Sequence, residues 1–217
     1  MALSQRIGSY GSYWGNDYNS SNSLSQEQME LNATYIYKYL SAKGWTKNSI
    51  AALLGNMQHE SSINPGRWEG DDVGSGPGYG LCQWTPYTNY TNWVETNSPG
   101  DDPSKMDNNL ARIIYELENH LQYYVTDSYS ETFEEFTQST AEPYYLACAF
   151  AWNYERSYVV LYGTEEEKEA LRQKRGASAN AWYEYLGGVP ITPGTGASKK
   201  KGNYKFHLFN KRRKIYG

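Results

Sequence analysis

Residues 46–66, TKNSIAALLGNMQHESSINPG, leave the chain little local choice. Ile50, Leu53, Leu54 and Met57 recur at the i, i+3, i+4, i+7 spacing that lines up apolar side chains on one helix face. Thr46 supplies an N-terminal cap. Asn64-Pro65-Gly66 stops the run, because the residue before a proline avoids helical angles. A helix with this stripe has to be covered, so the rest of the chain must pack around it. Glu60 falls on the same stripe, where the pattern asks for an apolar side chain.

Three features of that position disfavour an ionised carboxylate. It is partly desolvated on the stripe, it sits at the negative end of the helix dipole, and Trp68 and Trp84 flank the loop that follows. A carboxylic acid kept neutral is what protonation of a glycosidic oxygen requires. The segment alone also permits a plain surface glutamate closing the helix. His59 lies about 100° around the helix and is expected to face elsewhere.

Capping patterns set out the other helices. Ser25 and Gln28 form a capping box for a helix running to about Lys43 and stopping at Gly44. Leu110, Ile113, Ile114, Leu117 and Leu121 share one face of another. Pro143, tolerated at a first helical position, opens a third through YYLACAFAWNYE. Thr164 and Glu167 make a second capping box; Glu165 to Glu167 precede Lys174 and Arg175, an order that suits the dipole. Gly187-Gly188 closes this last helix. Between Gly66 and Gly100 a glycine-rich run and short aromatic and Thr/Asn segments predict loop with a small, irregular sheet.

Residues 1–24, rich in Ser, Gly, Asn and Tyr without periodicity, predict an extended arm that orders only when docked. The compact unit is 25–188, followed by a Pro/Gly/Thr linker at 189–198 and a basic tail at 199–217. The fold class is α+β, predominantly helical. The tail holds eight Lys and Arg and no acid, so a whole-chain charge of −4 leaves −12 on residues 1–198. An acidic body makes a poor nucleic-acid binder. The tail also interleaves Tyr204, Phe206, Phe209 and Tyr216 with its bases, a pattern able to stack on nucleobases, but a terminal charge run is more often a solvated or partner-docking extension.

No stretch approaches the roughly 18 apolar residues of a membrane span, and the N-terminus lacks the apolar segment of a secretory signal. Two cysteines, Cys82 and Cys148, make no disulfide scaffold in 217 residues, and three histidines make no His-rich metal site. Neither metal nor cofactor is expected. The 22 Tyr and 7 Trp suit both a core and surfaces that stack on sugars.

Three motifs, taken together, carry a resemblance. MQHESSINP resembles the glutamate-serine motif of goose-type lysozymes and soluble lytic transglycosylases. GYGLCQW (78–84) looks like their second motif, a glycine turn leading to Gln-Trp, and FAWNYERS (150–157) is similar to their third. Over about residues 27–186 the chain most resembles the phage tail-tip lysozymes, with a lysozyme-like fold. The resemblance implies a muramidase acting on the MurNAc-GlcNAc backbone of bacterial peptidoglycan, carried at a phage tail tip to open the wall for genome delivery. It implies Glu60 as general acid, with Ser61 hydrogen-bonding near it or holding an acetamido group. Tyr79, Gln83 and Trp84 would line the sugar cleft, the tryptophan by stacking, and Asn153 and Tyr154 would close it. Other tail proteins are expected to bind the N-terminal arm and the basic tail. The chain departs from the pattern at Ser157, often proline in the family, and at Cys82, often aliphatic.

A second carboxylate stays open at this stage. Glu155, within the third motif, is the first candidate for a catalytic role, ahead of Asp71 and Asp72 in the glycine loop, whose other reading is turn chemistry. Goose-type enzymes manage with one essential acid, so a second need not exist. Three other functions also stay open. They are a lytic transglycosylase giving 1,6-anhydro products, a non-catalytic tail or wall-binding module, and a cysteine amidase using Cys82 and His120.

Overall fold

The computed structural model describes residues 3–190; most of the expected linker and all of the expected basic tail lie outside the described residues. The chain opens with an antiparallel hairpin of β1 (Ser4–Gly8) and β2 (Gly11–Gly15), in register from Ser4 opposite Gly15 to Gly8 opposite Gly11. The stretch predicted as an extended arm is therefore paired and docked. Asn32 of helix α1 (Gln26–Ala42) accepts from Trp14 N and donates to Trp14 O, at 2.6 and 2.8 Å. Arg6 reaches across to Asp102 at 2.7 Å, and Tyr13 packs on Tyr35. Ser4-Gln5-Arg6-Ile7-Gly8 has no clean apolar alternation, so its strand character comes from what it lands on.

Helix α1 starts at the expected capping box, with both of its reciprocal bonds formed. Helix α2 (Lys47–Ser61) starts at Thr46, whose side chain accepts from Ser49 N. It ends when Ser62 and Ile63 turn left-handed, at φ of 55° and 53°, just ahead of Asn64-Pro65. The predicted apolar stripe understates this helix: every residue from Ser49 to Met57 is buried.

Beyond α2, a 3-10 turn at Glu69–Asp71 and isolated bridges pairing Tyr79 with Trp68 and Trp84 form the irregular region. Its glycines serve a turn: Gly80, at φ +83°, has no room for a side chain beside Asn109 Oδ1. Helix α3 (Thr88–Asn97) occupies part of what was expected to be loop. Helix α4 (Met106–Glu118) carries the expected stripe but stops before Leu121, which is exposed. Helices α5 (Phe133–Gln138) and α6 (Pro143–Phe150) follow, the latter with Pro143 in its first turn. The chain then widens into a π-helical turn at Ala151–Glu155. Helices α7 (Tyr158–Tyr162) and α8 (Glu165–Gly187) complete the described residues, α8 from its predicted capping box. The architecture is helix-dominated α+β. No helix among the described residues is long and apolar enough to cross a membrane.

Helices α1, α5, α6 and α8 pack around α2, with α8 its most extensive neighbour. The α2–α8 crossing is close because Gly55 has no side chain. A Cβ there would stand 2.8 Å from Ala179 N and 2.9 Å from Arg175 O. That backbone-to-backbone approach decides what faces the end of α2.

Candidate active site

Glu60, in the last turn of α2, opens onto a cleft of about 350 Å³. The cleft is lined by His59 and Glu60 from α2, Arg67 to Gly70 from the following loop, Cys82, Gln83 and Thr85 from the second motif, and Glu155 and Ser157. The side chain of Glu60 keeps 19% exposure. Its Oε1 accepts from the Nη2 of Arg175, a buried residue of α8. Arg175 in turn donates through Nη1 to the Asn56 carbonyl at 2.7 Å, while its Nε is buried without a partner. Thus α8, drawn in at Gly55, supplies the cation for the carboxylate at the end of α2.

The desolvated carboxyl is Glu155. The π turn widens the helix after α6, sending Tyr154 into the core and Glu155 to the cleft. Such single turns recur at functional sites. Glu155 as a residue stays partly accessible, but its Oε1 is sealed without a hydrogen-bond partner. Burial pushes its carboxyl well above the usual range; the charges of Glu60 and Glu116 push the same way and Arg175 opposes them.

Beneath the cleft lies a buried polar cluster. Glu116 is 1% exposed and accepts from Arg112 Nε at 2.8 Å, Trp84 Nε1 at 3.1 Å and the Tyr154 hydroxyl at 2.5 Å. Burial raises its carboxyl nonetheless. His59 bonds Ser178 at 2.8 Å; burial, then Arg175 and Lys174, push its imidazole down to about 4, so it is neutral in the ordinary range.

The residues predicted to touch sugar divide. Gln83 lines the cleft; its amide nitrogen is spent on the Arg67 and Gly80 carbonyls, which leaves its acceptor oxygen for a ligand. Trp84 is not an open stacking surface: it is 5% exposed, stacked on Tyr90 at 4.6 Å, with its N–H on Glu116 and Tyr154. Tyr79 is buried between Trp68 and Tyr90. Ser61 is buried and donates to the Met57 and Leu81 carbonyls, tying α2 to the second motif. Asn153 clips Tyr129 and Thr126 together from inside, and Tyr154 belongs to the Glu116 cluster. Tyr79, Ser61 and Asn153 support the cleft from within the fold, while Trp84 and Tyr154 line an adjoining pocket of about 190 Å³ that shares Cys82, Gln83, Thr85 and Glu155 with it.

Asp71 pairs with Arg67 at 3.0 Å, and neither Asp71 nor Asp72 lines the cleft. Of the expected second carboxyls, Glu155 alone does. Cys82 does line it, but burial holds its thiol well above its usual range. His120 is exposed, pairs with Glu134 and lines a different pocket, so no thiol–imidazole pair forms between them.

The sequence model of the phage tail lysozymes matches residues 31–186. The chain belongs to the phage tail lysozyme family. The matched range takes in Glu60, Glu155 and Arg175 and begins after the N-terminal hairpin. This phage tail lysozyme is also similar to Morphogenesis protein 1 of Bacillus phage B103, at 41% identity over 176 residues. That alignment covers 81% of the chain and 44% of the relative, so the chain spans less than half of the relative's length. Arg175, Glu116 and Arg112 were not among the predicted site residues. For Arg175 the signals available were Gly55 on α2 and the small-residue run Gly176-Ala177-Ser178-Ala179, which together mark a close helix crossing.

Proposed function

We propose that this phage tail lysozyme is a peptidoglycan muramidase that hydrolyses the MurNAc-GlcNAc glycan with an acid shared by Glu60 and Glu155. The observation that carries this reading is that Glu60, held by the buried Arg175 behind it, and Glu155, raised by burial, line the same cleft. With both ionised, the trio carries a net negative charge in a desolvated place; with one proton it is neutral. Two interacting carboxyls titrate as a unit, and the one-proton state supplies both an acid and a carboxylate. Glu60, the motif glutamate, meets the glycosidic oxygen through its Oε2, the oxygen not taken by Arg175. The remaining carboxylate then steadies the oxocarbenium-like sugar and orients water on it. Gln83 offers an acceptor for an acetamido or hydroxyl group at the same rim.

In this reading the protein is carried in the virion, at the tail tip, and acts on the host wall. Its family and the morphogenesis relative support that setting. The hairpin, with Ile7 exposed on its outer side, and the basic tail are the surfaces for other tail proteins.

Wall digestion by wild type and Glu60→Gln tests the reading. The variant keeps the side-chain shape and loses the transferable proton, so turnover of the folded protein should fall about 100-fold or more, while loss of the counter-charge of the buried Arg175 lowers the unfolding temperature. Near-normal turnover in Glu60→Gln removes Glu60 from the chemistry, and no turnover by wild type leaves a wall-binding module. Product masses separate the bond chemistry: hydrolysis gives reducing MurNAc ends, and anhydro ends, lighter by one water, mark a lytic transglycosylase.

A further inference from the structure

Arg175 does more than neutralise its neighbour. It is buried, and its guanidinium has two assigned partners on one helix: the Asn56 carbonyl and the Glu60 carboxylate. Its own backbone is pinned against Gly55, so the cation cannot back away without separating α8 from α2. The groups facing the carboxyl pair are few. Glu116 comes from α4, Cys82 from the second motif, neutral His59 from α2, and Glu69 from the 3-10 turn lines the same cleft. Arg67 lines the far side of the cleft and is engaged by Asp71.

We propose that Arg175 is a positioning residue that keeps a second proton off the Glu60–Glu155 pair, whose one proton is held by the buried Glu155. This rests on the muramidase reading for its consequence in turnover, but not for its physics. A fixed positive charge in contact with one carboxylate stabilises the singly ionised pair against a second proton, and equally stabilises loss of the last one. Glu155, whose buried Oε1 has no hydrogen-bond partner, keeps that last proton. Without the cation, the pair's two titration steps both move up, since an adjacent opposite charge depresses a carboxyl by about 1–3 units. The pair then binds a second proton in the range where it should hold one, and the site loses its carboxylate while keeping its acid.

Arg175→Met and Arg175→Lys distinguish this from a structural role. The readouts are the pH profile of kcat/KM on wall fragments and a 13C-carboxyl NMR titration of glutamate-labelled protein, assigned with Glu60→Gln and Glu155→Gln. For Arg175→Met the expected result is both limbs of the profile, and both NMR steps, displaced upward by about 1–3 units. Arg175→Lys should restore the positions while keeping a lower amplitude, because an ammonium cannot bond Asn56 and Glu60 as a planar fork does. A loss of amplitude in Arg175→Met with limbs and NMR steps unmoved overturns the proposal. Should Arg175→Met fail to fold, a titration of Arg175→Lys matching neither the wild-type order nor its one-proton plateau overturns it as well. An inactive wild type would refute the muramidase reading alone, since the NMR titration needs no turnover.

Discussion

Gly55→Ala is the smallest change that probes how the site is assembled. The added methyl would stand 2.8 Å from Ala179 N, 2.9 Å from Ala179 Cβ and 2.9 Å from Arg175 O. Non-bonded heavy atoms want about 3.5–4.0 Å, and the obstruction is helix backbone and a Cβ, which cannot rotate aside. Helix α8 must therefore move off α2 by roughly 0.6 Å or more. Overpacking of this kind costs up to about 3 kcal/mol, and replacing a mid-helix glycine by alanine returns about 1 kcal/mol of helix propensity. The net loss is about 2 kcal/mol, or roughly 4–8 °C of unfolding temperature in a domain of this size. Because Arg175 rides on the displaced backbone, its guanidinium is carried off Glu60, and misplacements near 1 Å cost about 100-fold in rate. Thermal unfolding and turbidity clearing, the latter at a temperature where both proteins are fully folded, measure the two effects separately. An unchanged or higher unfolding temperature would refute the close crossing. A lower one with wild-type clearing would refute the claim that the crossing sets the chemistry.

Two further outcomes concern pH. Glu155→Gln should be as stable as wild type below about pH 4, where the glutamate is protonated folded or unfolded. As pH rises past its unfolded pKa of about 4.3, the unfolded glutamate ionises while the buried one resists, so wild type loses stability and the variant gains on it. Urea denaturation from pH 4 to 8 reads this, and a difference constant over that range contradicts it. His59→Gln should flatten acid destabilisation between pH 6.5 and 4. A histidine pushed down to about 4 binds its proton only in the unfolded state across that window, so stability falls as pH falls through it. Parallel stability curves for the two proteins in that interval would contradict the burial of the imidazole.

How much was legible beforehand follows from how local each signal is. The caps at Ser25, Thr46 and Thr164 involve side chains and backbone three residues apart, so helices α1, α2 and α8 begin where the sequence says. Helix α3 has no side-chain cap and buries only Tyr90 and Val94, so TNYTNWVETN carries almost no helical pattern. The hairpin is invisible for a similar reason: its order depends on Asn32 and Asp102, which lie on other elements. Within the site, the motifs pointed to Glu60, Glu155 and Gln83, and the cleft brings these together. They did not say which side chains face inward. Trp84 reads as a sugar platform because a tryptophan beside a cleft usually has a free face, yet Tyr90, Glu116 and Tyr154 claim it. Arg175 is harder still, since nothing within its own helix reports the carboxylate it meets.

The partners of the ion pair stand 115 residues apart along the chain. A ribosome adding roughly 5–20 residues per second takes on the order of ten seconds to travel that distance. During that interval α2 has emerged without its largest cover, and Glu60 has no cation. Contacts of such long sequence separation also form late once the chain is free. The cleft is consequently finished by the last described helix, so an unfinished chain carries the motif glutamate without the site built around it. The site is therefore complete only once α8 has been made and docked.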